Sequence, residues 1–69
     1  MEEHKEQILL RAKKAIDTDG IFKLSTCDFR NWNVQEHHAM MSLYRTKPAG
    51  LHISYSINFQ VFDWVITNN

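Results

Sequence analysis

Glycine, proline and cysteine are all scarce here: Gly20, Gly50, Pro48 and Cys27 are the only ones. A lone cysteine cannot close an intrachain disulfide, and a free thiol points to a reducing, cytoplasmic compartment. Two well-separated glycines cannot build the clustered cradle that known phosphate-binding loops use, so no nucleotide cofactor is expected. No stretch approaches the ~20 apolar residues of a membrane span. The opening Met1-Glu2-Glu3-His4 is acidic and lacks the basic and apolar regions of a secretory leader.

A net charge of one sign is missing too. Eight basic side chains balance eight acidic ones, so no global field draws in nucleic acid. The distribution is uneven: residues 1–20 sum to −1, residues 21–50 sum to +2, and residues 51–69 carry only Asp63. The basic middle segment is a weak pointer to an anionic partner.

The 69 residues leave room for one domain, 1–69. A chain of this size buries only ~60 % of its unfolded surface, and a partner is one of the usual aids to its stability. With 43 % hydrophobic and 23 % charged residues the composition is that of a folded domain, which argues against disorder.

Residues 3–17 read as an amphipathic helix. Ile8, Leu9, Ala12, Ala15 and Ile16 share an arc of roughly 120°, and Leu10 lies off it. Glu2, Glu3 and Glu6 at one end and Lys13 and Lys14 near the other suit the helix dipole. Gly20 then supplies a left-handed stop. Residues 21–26 alternate as a short strand with Phe22 and Leu24 on one side. Residues 27–37 are ambiguous. Ser25 with Asp28 and Asn33 with Glu36 each have capping-box spacing, and Phe29, Trp32 and Val34 are the apolar anchors.

Pro48-Ala49-Gly50 reads as a three-residue hairpin loop, with Gly50 left-handed and Lys47 and Leu51 as the closing pair. That register sets Leu43 opposite Tyr55, Met41 opposite Ile57 and Ala39 opposite Phe59, with Leu51, Ile53 and Val61 on the same apolar face. The other face is nearly all polar. Residues 62–66 either continue the strand past a bend or form a short helix, and 67–69 read as a frayed end. The expected architecture is therefore α+β: the N-terminal helix packs its Ile8/Ala12/Ile16 face on a small antiparallel sheet built around a 39–46/51–61 hairpin. A second parse is winged-helix-like, with helices at 3–17, 26–32 and 34–46, a strand at 21–24 and a C-terminal wing.

The residues able to carry chemistry do not assemble into a motif. Adjacent His37 and His38 diverge in either a helix or a strand, and no CxxC, HxxxH or HxH spacing exists, so no metal site is expected. Cys27, Asp28 and His37 or His38 contain the letters of a nucleophilic set without a glycine-rich elbow or an oxyanion-hole motif. No catalytic residues are assigned, and the chain is read as a non-enzyme.

What stands out is aromatic content: eight residues, 12 % of the chain, more than a small core can hold. Exposed Trp and Tyr are enriched at protein interfaces. The expected function is therefore a small regulator or inhibitor that occludes another protein. Such proteins include those of phages and mobile elements, an association and not a physical argument. Trp32, Tyr44, Arg45 and Trp64 are the expected binding residues. A second copy of the chain could also pair through a sheet edge. The alternative is a winged-helix-like DNA-binding transcriptional regulator. Against it, the would-be recognition helix opens Val34-Gln35-Glu36-His37-His38, with its basic residues only at the far end.

Overall fold

The computed structural model describes residues 2–28 and 30–69. Its elements run α1 (Glu2–Asp19), β1 (Ile21–Cys27), α2 (Val34–Thr46), β2 (Leu51–Asn58) and β3 (Val61–Asn68). The strands form one antiparallel sheet in the order β1-β3-β2. Both helices cover one face of it, so the α+β fold with its N-terminal helix on the sheet is as expected.

Helix α1 forms for the reasons visible in its sequence. Ile8, Ala12 and Ile16 are buried, Leu9 and Ala15 pack at the margin, and off-arc Leu10 is exposed. Gly20 ends it with φ +80°, its N–H donating to the Ile16 carbonyl at 2.9 Å. The expected dipole pairing at the C-terminal end does not survive. The helix runs on to Asp19, so its last turn holds Asp17 and Asp19 and no basic residue.

The 39–46/51–61 hairpin is overturned: residues 39–46 belong to α2, as the second parse had them. Asn33 caps this helix, its side-chain oxygen accepting from the Glu36 N–H at 3.1 Å while its amide donates to the Glu36 carboxylate at 3.0 Å. Ala39, Met40 and Leu43 then fall on one buried helical stripe. Seven of its residues are strong helix formers, which outweighs a short alternating pattern. Lys47 closes the helix at φ +51°, its N–H donating to the Leu43 carbonyl. Gly50 is left-handed as expected, at φ +81°, but its turn joins a helix to a strand.

The true partner of β2 is β3. Asn58 pairs with Val61 across a two-residue turn, Phe59-Gln60, and the register runs without interruption to Leu51 opposite Asn68. Phe59, expected on the buried face, is 87 % exposed at the tip of this turn. The C-terminus is not frayed: Thr67 and Asn68 lie in β3 and the Asn69 N–H donates to the Gly50 carbonyl.

The helix that the winged-helix parse gave to 26–32 is not formed: Thr26 and Cys27 end β1, and Asp28, Arg30, Asn31 and Trp32 are not helical. The Asp28 carboxylate accepts from the N–H groups of Arg30 and Asn31, and Cys27 bridges to Trp32. Ser25 is not a cap either; its hydroxyl donates to Asp63 on the neighbouring strand. Phe29, expected as an apolar anchor, lies outside the described residues. Among the described residues, no helix is long and apolar enough to cross a membrane.

Candidate interaction surface

Trp64 organises the molecule. It sits mid-way along the central strand, fully buried, between Leu24 of β1 and Tyr55 of β2. Its indole N–H donates to the Thr26 hydroxyl at 3.0 Å, and that hydroxyl lies 2.8 Å from Nδ1 of His37. An indole N–H can only donate. The indole N–H and the Thr26 hydroxyl hydrogen are therefore both used when Thr26 donates to Nδ1 and His37 keeps its hydrogen on Nε2. Burial holds the His37 pKa below its ordinary value, and the neighbouring His38 adds to the effect.

Around this buried indole the aromatic side chains spread outward to solvent. Phe62 lies 4.9 Å and Tyr55 5.4 Å from Trp64, centroid to centroid, and Tyr44 of α2 meets Tyr55 edge-on at 5.4 Å. His37 meets Phe62 edge-on at 4.8 Å and Trp32 at 6.1 Å. Such contacts fix ring orientation as well as adding to burial. The helices cover the β1 side of the sheet better than the hairpin end. Ile57 is 62 % exposed there and Trp32 is 59 % exposed.

Trp32 stands as a ridge between two clefts. One is lined by Trp32, Ile57, Phe59, Phe62, Arg30 and Cys27. The other is lined by Trp32, His37, His38, Met41 and Arg45. Arg45 is exposed and forms no ion pair among the described residues, whereas Arg11 is held by Glu36 at 3.2 Å.

Of the four expected binding residues, three reach the surface. Trp32, Tyr44 and Arg45 are exposed, and Tyr44 connects to Trp32 through the aromatic cluster. Trp64 does not reach it: as the largest side chain at the sheet centre it is core, and it supports the surface from beneath. Ile57 and Phe59 were missed, because the hairpin register turned them inward. An Asn58-Phe59 step carries no glycine to reveal the turn.

No family model, curated protein or solved structure matches this chain. Cys27, Asp28 and His37, the letters of a nucleophilic set, are each engaged locally. The Cys27 thiol faces the Gln60 carbonyl at 3.6 Å, the Asp28 carboxylate takes two backbone N–H groups, and Nδ1 of His37 is bound to Thr26. Those N–H groups, Arg30's foremost, hold the Asp28 carboxyl below the usual carboxylate range. Among the described residues, no three His, Cys, Asp or Glu side chains converge as a metal site would need.

Proposed function

We propose that this protein is a non-enzymatic binding module that regulates or inhibits another protein by covering part of its surface. The observation that carries the reading is the exposed Trp32 ridge between two apolar clefts, with Phe59 projecting beside it. Large exposed aromatics in a rigid frame lose little entropy on binding and dominate interface energetics. Arg30 and Arg45 flank the ridge, one in each cleft, so the complementary surface is apolar with acidic groups at its margin. The reading needs no metal or cofactor.

The test is an affinity pull-down of the tagged chain from a nuclease-treated lysate, run beside Trp32→Ala and Arg45→Glu. One stoichiometric protein, lost with Trp32→Ala and weakened by Arg45→Glu, supports the proposal. Retention that ignores both substitutions overturns it. The DNA-binding alternative rests on α2 being followed by the β2–β3 hairpin, the order of a recognition helix and wing. It is favoured if the chain instead holds duplex DNA with steep salt dependence.

A further inference from the structure

We propose that the free edge of β2 pairs with the same edge of a second copy about a two-fold axis, giving a continuous six-stranded sheet. This goes beyond the reading above, which places a foreign partner on the Trp32 ridge.

The sheet has two outer edges, and only one is protected. The β1 edge is broken by a bulge between Ser25 and Cys27, carries Lys23, and is bridged at its end by Trp32. Natural proteins blunt exposed edges with such bulges, lysines and covering segments. The β2 edge has none of them. All eight residues keep an unbroken register with β3, and the strand contains no charge and no proline.

The backbone geometry says which groups are free. Asn58 and Val61 flank a two-residue turn, so they exchange both hydrogen bonds. Alternation then gives the inward-facing groups to Ser56, Ser54 and His52. The bond from the Asn69 N–H to the Gly50 carbonyl continues this phase. The Leu51 N–H is taken by Pro48. The outward N–H and C=O groups therefore belong to Ile53, Tyr55 and Ile57.

The side chains of those same three residues lie on the helix-facing side, where Tyr55 and Ile57 remain exposed at 46 % and 62 %. A second copy running antiparallel satisfies both needs at once. With the axis at Tyr55, Ile53 faces Ile57 of the other copy; with the axis at Ser54, Ile53 faces Tyr55 of the other copy. In either register apolar residues meet apolar ones on one face, and on the other His52, Ser54 and Ser56 meet only uncharged polar residues, with Asn58 facing His52 or Gly50. The strand is close to palindromic in chemistry. No like charges oppose each other, and a chain of zero net charge meets no long-range repulsion from its copy.

Sedimentation equilibrium of the purified full chain over a range of concentrations, with amide hydrogen exchange on the same samples, tests this. The expected result is a reversible dimer in which the Ile53, Tyr55 and Ile57 amides gain protection as concentration rises. Ile57→Lys, a substitution at an exposed position that sets a cation against Ile53 or Leu51 of the other copy, is expected to be monomeric with unchanged circular dichroism. A monomer at every concentration overturns the proposal. So does a dimer whose three edge amides exchange freely, which needs no variant to detect. If the chain is monomeric yet a pulled-down protein protects those amides, the edge takes a foreign strand: the dimer fails while the regulatory reading stands.

Discussion

Thr26 joins two aromatic residues with a single oxygen. It is 1 % exposed, accepts from the Trp64 indole and contacts His37. Thr26→Val keeps the shape and removes that acceptor, leaving a buried indole N–H unpaired. The expected loss is about 1–3 kcal/mol, read as a shift in the urea midpoint at unchanged m-value. His37 gives the same network a pH response. Its folded pKa lies below the ordinary 6.5, so the unfolded chain takes up the proton first as pH falls. The stabilisation from keeping it neutral is complete above that ordinary value, declines as pH drops toward the folded pKa, and is gone below it. Urea midpoints between about pH 7.5 and 5.5 should fall with acidity, and His37→Gln should flatten that slope.

At the scale of elements, two turns use positive φ with opposite consequences. Gly50 has φ +81° and open space around its absent side chain, so Gly50→Val meets no clash and costs only backbone strain. A loss of more than about 1 kcal/mol in thermal or urea denaturation is expected. Phe59 has φ +57° in a turn whose first position favours glycine, with its ring 87 % exposed. Phe59→Gly should therefore raise stability, by up to about 1 kcal/mol. On the proposed function it should also weaken partner capture. A residue that strains its own turn and leaves a large apolar ring in water fits a contact residue better than a structural one.

The whole molecule is a two-layer structure in which one sheet face is only partly covered. Helices α1 and α2 bury Phe22, Trp64 and Ile66 but leave Tyr55 and Ile57 open at the hairpin end. A domain of this size buries only a modest share of its surface, so association with a partner or a second copy would add measurably to its stability. If the β2 edges pair, the melting temperature of the chain rises with protein concentration. The Ile57→Lys protein should melt at one temperature across the same range.

Local chemistry alone determined several features. The arc of Ile8, Ala12 and Ile16 defined α1, Gly20 its stop, the Asn33–Glu36 pair the start of α2, and Phe22 and Leu24 the inner face of β1. Each depends on a dihedral preference or a period within one segment. Residues 39–46 were different, because Ala39, Met41 and Leu43 alternate while Ala39, Met40 and Leu43 form a helical stripe. Both patterns bury apolar groups, and packing against α1 and β1 chose the helix. Strand β3 was equally hidden, since the turn that creates it is made at Phe59 without a glycine to announce it. Of the four expected binding residues, Trp64 became core and Trp32 became the ridge. Composition shows that some aromatics must remain outside. Which ones do depends on where each lands in the sheet, since the central strand of three has neighbours on both sides and a loop ridge does not.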